Sequence, residues 1–178
     1  MKLLLSFLPV VSILVLTGMV IGVVSLAADT AAVTATVTAR NISVTVADGS
    51  IVYGNVAVSG TASTTSSGVD NSQIASNNGN VSETFNIIGT DSAAWTLEAA
   101  IGADQYTQAF CNTLTCDTVP TWTLMQEAAY TTLSSSTVAT STGQQVFDTR
   151  INLPSSSSSY TEQSVNMTVQ AVISYYFL

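Results

Sequence analysis

Short runs in which apolar and polar residues alternate fill the chain from residue 31 onward, and clusters of Gly, Asn and Ser separate them. Alternation with period two in runs rich in Val, Ile and Thr is typical of strands with one buried face. A capped helical period is sustained nowhere, and residues 123–133 offer about two helical turns at most. The pattern predicts an all-β fold, a two-sheet antiparallel sandwich of the Ig-like or jelly-roll kind.

The parity of the apolar positions indicates the individual strands. Val33 and Val37 are odd-numbered whereas Val44 and Val46 are even-numbered, so the parity changes near Arg40. Because side chains along a strand alternate faces, the change predicts a bulge, a bend or a strand that continues on the other sheet. Further strands are predicted at residues 51–58, with a bulge at Gly54, and at 81–87, 95–97, 105–111, 122–125, 130–133, 144–153 and 165–173.

Residues 77–97, NNGNVSETFNIIGTDSAAWTL, contain two turn signals, each followed by an alternating run. Asn and Gly favour tight turns, so this stretch predicts a β-hairpin. The side chains expected to face the core are Val81, Phe85, Ile87, Trp95 and Leu97. The Ser-rich segments 134–141 and 155–159 are expected to be exposed loops.

Composition limits the size of the fold and the range of partners. The chain has 178 residues, of which 47% are hydrophobic and 8% are charged, and its formal net charge is −8. This composition suits one domain with a single core. An acidic surface repels phosphate groups, because nucleic-acid binding depends on Lys and Arg. Nucleic acid is therefore excluded as a partner.

The N-terminal segment, residues 1–27, has the pattern of an export signal, a hydrophobic helix that precedes the sandwich. Lys2 is followed by an uncharged apolar run that ends in small residues around Ala27, which is what a signal peptidase cleaves. Cleavage there would leave a β-sandwich domain of residues 28–178. The run also approaches the length that spans a bilayer, so an uncleaved anchor is the alternative. Both readings predict a secreted or cell-surface protein, which would meet the membrane only through residues 1–27 if these are not cleaved.

The two cysteines, Cys111 and Cys116, lie five positions apart. An even, closely spaced pair in an exported chain most simply forms a disulfide. The loop is short, so the bond should contribute only about 2 kcal/mol and hold a local turn. A redox or metal pair is the alternative, but metal sites usually need four ligands and the chain has no His.

Catalysis lacks its usual residues in this chain. There is no His, and the one Lys lies in the export segment, so the common general base and Schiff-base amine are missing. Paired carboxylates could serve a glycosidase, but the glutamates stand in unrelated contexts and are expected to be solvated surface charges. These glutamates are Glu83, Glu98, Glu127 and Glu162. The protein is predicted not to be an enzyme, and no cofactor is expected.

Calcium is the more serious hypothesis for a site, since oxygen ligands alone can bind it. The candidate oxygen-bearing loops are Asp48 with Ser50, Asp70 with Asn71, and the group Asn77, Asn78 and Asn80. None has the spacing of a defined calcium loop. Asn and Asp are also favoured in turns for their own hydrogen bonds, which is the alternative.

Four aromatic residues could form a stacking platform for sugar rings, although at strand spacing they more commonly fill a core. They are Trp95, Tyr106, Trp122 and Tyr130. A platform would require several exposed rings in one plane. A core role would require buried rings.

Several segments, among them TATVTARNISVTVADGSIVYGNVAVSG, NNGNVSETFNI, AAWTL and YTEQSVNMTVQAV, resemble a group of small exported Ig-like β-sandwich surface proteins of uncultivated bacteria. The chain is also distantly similar to the camelysin/TasA-like matrix proteins, in which an Asn-Gly-Asn-Val-type turn precedes a core strand. The resemblance implies a jelly-roll or Ig-like domain that builds fibres or coats. The metalloprotease activity ascribed to part of that family does not transfer, because this chain has no His.

We therefore expect a non-enzymatic structural protein that assembles with itself or with other envelope proteins. An exposed sheet edge offers unpaired amides and carbonyls, and residues 28–46 could add to a neighbour's sheet as a donated strand. Pairing of this segment within its own domain is the alternative. The second hypothesis is a carbohydrate- or ligand-binding module that holds a polysaccharide through an aromatic face.

Overall fold

The structure is a computed structural model and describes residues 30–134 and 136–174. Those residues contain ten strands and no helix, so the all-β prediction is confirmed. The strands are β1 (Val44–Ala47), β2 (Thr61–Ser63), β3 (Gln73–Asn77), β4 (Glu83–Gly89), β5 (Thr96–Leu97), β6 (Gln105–Cys111), β7 (Thr123–Leu124), β8 (Thr131–Thr132), β9 (Gln144–Asn152) and β10 (Met167–Ile173). Within the same residues, no helix is long and apolar enough to cross a membrane.

The chain divides into two compact units, residues 1–37 and residues 38–178, and every strand lies in the second. Residues 30–37, the described part of the first unit, form neither helix nor strand. The predicted export segment, its cleavage after Ala27 and the predicted N-terminal helix lie outside the described residues.

The strands form two sheets, as predicted. The larger sheet has seven strands in the order β1-β3-β9-β6-β5, with β2 also paired to β9 and β7 to β6. The smaller sheet has three antiparallel strands in the order β10-β4-β8. One pairing departs from the expected antiparallel arrangement, because β5 runs parallel to β6. The larger sheet is therefore mixed.

One buried cluster joins side chains of both sheets and gives the molecule a sandwich-like core. Phe85 and Ile87 come from β4 of the smaller sheet, whereas Ala75, Phe110 and Phe147 come from the larger sheet. A second cluster surrounds the buried residues Leu97, Tyr106, Ile151 and Leu153. The inward positions predicted from parity in β4, Phe85 and Ile87, are thus among those that fill the interior.

Strand β10 has the amphipathic pattern that the sequence predicts. Met167, Val169 and Ala171 are half-buried and pack against the main cluster, while Thr168 and Gln170 are exposed. Each of its seven residues faces a residue of β4 in antiparallel register, from Met167 opposite Gly89 to Ile173 opposite Glu83. The alternation therefore places β10 on the core with one polar face outside.

The hairpin predicted for residues 77–97 is wrong. β4 pairs with β10 and β8 in the smaller sheet, whereas β5 pairs with β6 in the larger sheet. Between them the chain crosses from one sheet to the other, and the Asp91 carboxylate accepts a 2.6 Å hydrogen bond from the Leu97 amide. Turn residues mark where the chain bends, but they do not determine which strand becomes the partner.

Two predicted strands are absent from the described residues, and two observed strands were not predicted. Residues 51–58 form no strand, and Gly54 adopts a positive φ of 74° within a non-strand segment rather than a bulge. Residues 31–43 also lie outside any strand, so only β1 remains of the first predicted run. In contrast, β2 and β3 form within residues 61–77, where the sequence analysis predicts no strand.

Strand β3 escaped prediction because its buried face is largely polar. Gln73 is 3% exposed and Asn77 is 1% exposed, and they flank the buried Ala75. The Gln73 side-chain oxygen accepts a 2.9 Å hydrogen bond from the Gly49 amide, so this oxygen has a partner although it is buried.

In the Ser-rich segment 134–141, the expectation of an exposed loop is wrong for Ser134 and for Val138, which form part of the interior.

Candidate functional site

The free edge of β10 is the first feature of the candidate site. β10 pairs with β4 along its whole length, and no strand in the described part of the chain pairs with its other edge. A seven-residue strand is about 23 Å long at roughly 3.3 Å per residue. Such an edge presents unpaired backbone donors and acceptors to any chain that approaches it.

A cleft of about 890 Å³ borders this edge. Met167 and Val169 of β10 line it together with the core residues Phe147 and Ile151. Its rim carries hydroxyl and amide side chains from residues 157–166. Core residues and residues with hydroxyl or amide side chains thus line the cleft together, so it offers both apolar and polar surface.

Residues 51–58 also line this cleft, without forming a ladder. No backbone hydrogen bond to another described residue is formed from Ile51 to Val56. Tyr53 is held through its side chain instead, with its hydroxyl 2.6 Å from the Thr149 hydroxyl. Burial raises the pKa of Tyr53 to about 12, against the smaller opposing effect of that hydrogen bond.

The second feature is the unpaired segment of residues 30–42, in which every residue is exposed. Val33 is 92% exposed and Val37 is 96% exposed, far beyond the exposure of a Val in a folded strand. From residue 31 to residue 39 the odd positions hold only Ala and Val, while the even positions from 34 to 38 hold Thr. The segment therefore alternates as a half-buried strand does, but none of its described residues pairs with a strand.

The C-terminal end of this segment is anchored to the turn that follows β3. The Asn80 side chain accepts a 2.7 Å hydrogen bond from the Asn41 amide and donates one of 2.8 Å to the Ala39 carbonyl. The Asn80 amide donates to the Asn41 carbonyl at 3.1 Å, and the Asn78 amide donates to the Ser43 carbonyl at 2.9 Å. These hydrogen bonds hold the chain from Ala39 to Ser43 against this turn.

The Asn residues proposed as calcium ligands serve this turn. Asn77 is buried, and its side chain donates to the carbonyls of Val81 and Val138 while its oxygen accepts from the Gly79 amide. The Asn78 side chain donates to the Thr45 hydroxyl. These bonds support the alternative given for Asn in the sequence, a structural turn.

The two Asp-containing candidates lie on exposed loops that contact each other. Asp48 is exposed, and the backbone carbonyl of Ser50 accepts a hydrogen bond from the Asn71 side chain. Asp70 is exposed with a positive φ of 52°. Among residues 30–134 and 136–174, no group of three or more His, Cys, Asp or Glu could hold a metal ion.

Glu83 corrects one expectation, because it is not a solvated surface charge. It is fully buried at the start of β4, while Glu98, Glu127 and Glu162 are exposed as predicted. Its Oε1 accepts a 2.9 Å hydrogen bond from the Ser43 amide, and its Oε2 receives none from any described residue. The signal was present in the sequence, since Glu83 has the same parity as the inward-facing Phe85.

The aromatic residues do not form one exposed plane. Tyr106 is fully buried and donates to the Thr90 carbonyl, and the half-buried Trp95 lies 6.4 Å from it at an interplanar angle of 52°. The Trp95 indole donates to the Ser157 hydroxyl at 2.8 Å. Trp122 instead lies under the Arg150 guanidinium, 4.9 Å from the ring centre. Core filling describes Tyr106 and Trp95 better than a sugar platform.

Cys111 and Cys116 form a disulfide at the end of β6, with their Cα atoms 5.9 Å apart. Both residues are buried, at 0% and 3% exposure. The alternative of a redox or metal pair has no further ligand to support it among the described residues. The bond closes a short loop and lies apart from the cleft, whose lining contains neither cysteine.

Comparisons with protein-family models, with curated proteins and with solved structures gave no match. The resemblance to exported Ig-like surface proteins and to camelysin/TasA-like matrix proteins therefore stays a prediction from sequence.

Proposed function

We propose that this protein is a non-enzymatic structural protein of the cell surface or extracellular space that assembles with itself by strand donation. Residues 31–39 of one copy add to the free edge of β10 in the next copy. One observation carries this proposal. The segment alternates as a strand does, yet Val33 and Val37 are exposed and pair with no strand of the described residues.

Donor and acceptor match in length and in chemistry. A donor of residues 31–39 can cover the seven residues of β10. Its odd face of Ala and Val is small enough to enter a cleft of about 890 Å³ that is already partly lined by residues 51–58. Its even face of Thr would remain toward water, as Thr168 and Gln170 do in β10.

Two free-energy terms favour the addition. Burying a Val side chain contributes about 1.5–3 kcal/mol, and Val33 and Val37 are both almost fully exposed in the single copy. New backbone hydrogen bonds along β10 satisfy an edge that is otherwise exposed. The donor between residues 31 and 39 has no charged side chain, so it carries no further charge into an already acidic molecule.

The chain as a whole has a formal charge of −8, and like-charged copies repel one another. Salt screens this repulsion, with a Debye length of about 10 Å at 0.1 M. Assembly should therefore be faster and more complete at physiological ionic strength than at low salt. Export through residues 1–27 and an Ig-like or jelly-roll topology are part of the same proposal.

The alternative is a carbohydrate-binding module, and it has weaker support. Tyr106 is buried, Trp95 is tilted against it, and Trp122 is covered by Arg150. A stacking platform would need several of these rings to be exposed together.

Matched charge substitutions on the two faces of the donor test the proposal. The variant Val33→Asp/Val37→Asp places two charges on the face that enters the cleft, and Thr34→Asp/Thr36→Asp places the same two on the opposite face. We expect the first variant to remain monomeric and the second to assemble, as seen by sedimentation and electron microscopy of the secreted protein. Deleting residues 28–37 should also leave a folded monomer. Equal assembly by all three variants would contradict strand donation.

A peptide of residues 30–43 gives a second, direct measurement. Added to the protein that lacks residues 28–37, the labelled peptide should bind saturably, as followed by fluorescence anisotropy. The peptide with both Val replaced by Asp should bind roughly tenfold more weakly or worse, because it loses apolar burial. No binding of the unaltered peptide, or protection of the amides of residues 31–38 from hydrogen exchange in the monomer, would show that the donor does not act between copies.

A further inference from the structure

Arg150 is a cation without an anionic partner in an acidic molecule. The chain has eleven Asp and Glu residues, yet the Arg150 guanidinium forms no ion pair and no hydrogen bond with any described residue. Its Nε is buried without a partner, whereas its two terminal nitrogens are not buried. Burial lowers the pKa of Arg150, and no acidic group opposes that effect. A partly desolvated cation of this kind gains free energy from an anion that reaches its exposed edge.

Arg150 lies on the outer face of the larger sheet. Along β9, Phe147 and Ile151 belong to the buried clusters, so Arg150, which has the opposite parity, points to the other face. The cleft beside β10 has Phe147 and Ile151 in its lining but not Arg150. The outer face is therefore a separate surface from the proposed acceptor of the donor strand.

Trp122 holds the guanidinium in place. The Arg150 Cζ lies 4.9 Å from the centre of the half-buried Trp122 ring, within the range of a cation–π contact. The residue opposite Arg150 on β6 is Ala109, whose small side chain leaves room for this contact. A guanidinium that is held in one plane presents its terminal nitrogens as a fork, which matches the two oxygens of a carboxylate.

A row of neutral polar groups crosses the same face beside Arg150. The Thr61 hydroxyl donates a 2.8 Å hydrogen bond to the Asn152 Oδ1, and the Asn152 side-chain amide donates one of 2.6 Å to the Thr107 hydroxyl. Asn152 is two positions beyond Arg150 on β9, about 7 Å away at roughly 3.3 Å per residue. A side-chain amide has two donors and its oxygen accepts two hydrogen bonds, so Asn152 keeps one of each for a ligand.

We propose that this face binds an acidic sugar of the uronic acid class, with its carboxylate on the Arg150 fork and its hydroxyl groups on Asn152 and Thr61. A sugar fits better than a peptide, because β9 is paired on both sides at Arg150, with Ser63 of β2 and Ala109 of β6. No strand edge is therefore free there for a peptide backbone. The contact is made by a cation and neutral hydrogen-bonding groups, so it does not need the exposed aromatic plane of a stacking platform.

NMR titration with methyl glucuronide tests the site, with methyl glucoside as the matched neutral ligand. The variant Arg150→Gln removes the charge, and Arg40→Gln is its control, because Arg40 is exposed and lies outside this face. We expect a Kd of about 1 mM for the wild type and for Arg40→Gln, which is typical of a ligand of this size. Binding should be roughly tenfold weaker or worse for Arg150→Gln and for the glucoside. Arg150→Lys, which keeps the charge but loses the fork, should also weaken binding.

Further measurements keep the test decisive. If Arg150→Gln fails to fold, the wild-type Nε–H resonance of Arg150 and the indole N–H resonance of Trp122 should shift with the glucuronide, and no shift at either would overturn the proposal. N-acetylglycine has a carboxylate but no sugar, so binding as tight as that of the glucuronide would replace the sugar by a peptide carboxylate and overturn the assignment. Equal binding by Arg150→Gln, or no binding at about 20 mM glucuronide, would rule the site out.

The site does not depend on the proposed assembly. The variant Val33→Asp/Val37→Asp should bind the glucuronide as the wild type does, even though it does not assemble. Failure of assembly and failure of this site can thus be told apart. Weaker binding in this variant alone would mean that the ligand occupies the interface between copies and not the outer face of the sheet.

Discussion

Strand β4 and the segment of residues 31–39 carry the same alternation and end in opposite environments. In β4, Phe85 and Ile87 are fully buried, and the strand is paired with β10 along its length and with β8 on its other side. In the N-terminal segment, Val33 and Val37 are more than 90% exposed and no strand forms. Period-two alternation therefore identifies a chain that can become a half-buried strand, but a partner edge decides whether it does.

Residues 51–58 are intermediate between these two regions. They line the cleft and contain the half-buried Tyr53, yet Ile51 to Val56 make no backbone hydrogen bond to another described residue. A side-chain contact to Thr149 holds this segment in place of a ladder. These three alternating runs therefore differ in pairing: β4 is paired on both sides, residues 51–58 are held by a side chain, and residues 31–39 are exposed.

The largest effect is expected in β4. Phe85→Ala should lower the free energy of unfolding by about 3–5 kcal/mol, because a fully buried ring is lost and a cavity remains between the two sheets. Urea unfolding of the non-assembling Val33→Asp/Val37→Asp background would measure the loss. A cost below about 1 kcal/mol would mean that the two sheets do not share one dry interior.

The same contrast explains which parts of the fold could be predicted. β4 and β10 alternate between an inward and an outward face, whereas β6 and β9 are buried over several consecutive residues, and the sequence predicts all four strands near their observed bounds. β3 was missed because Gln73 and Asn77 are buried through hydrogen bonds rather than through hydrophobicity. Partner choice was not encoded locally, so the predicted hairpin of residues 77–97 became two strands in different sheets.

The candidate site was predictable only in part. The donor segment was proposed from its alternation alone, within residues 28–46. Its acceptor was not, because residues 51–58 were assigned to a strand and the cleft forms where that strand is missing. Glu83 was assigned to the surface on its charge, although its parity with Phe85 indicated the inward face. Charge and parity gave opposite expectations there, and parity was right.

A smaller effect, dependent on pH, should come from the intermediate region. The pKa of Tyr53 is raised by burial from 10.0 to about 12, so the folded state favours the neutral phenol. Its contribution is fully present below pH 10 and is lost as the pH rises from 10 toward 12, at a cost of about 2 kcal/mol. Burial raises the pKa of Tyr106 in the same direction, so both residues weaken the fold in alkali.

Urea unfolding at pH 8 and at pH 11 would measure how much of this loss of stability comes from Tyr53. Tyr53→Phe should reduce the loss of stability between these values, and Tyr160→Phe, whose ring is 83% exposed, should leave it unchanged. An unchanged loss in Tyr53→Phe would show that residues 51–58 are not held against Thr149 in solution.

The smallest effect on unfolding is expected in the N-terminal segment. Its size shows most directly whether this segment is donated to another copy or pairs within its own domain. Val33→Ala/Val37→Ala should change the free energy of unfolding of the dilute monomer by less than about 0.5 kcal/mol, since both side chains are already in water. In assembled material, the same change should lower the temperature of dissociation, because two buried side chains become smaller. A loss of 1 kcal/mol or more in the monomer would mean that the segment pairs within its own domain, and the free edge of β10 would then need another occupant.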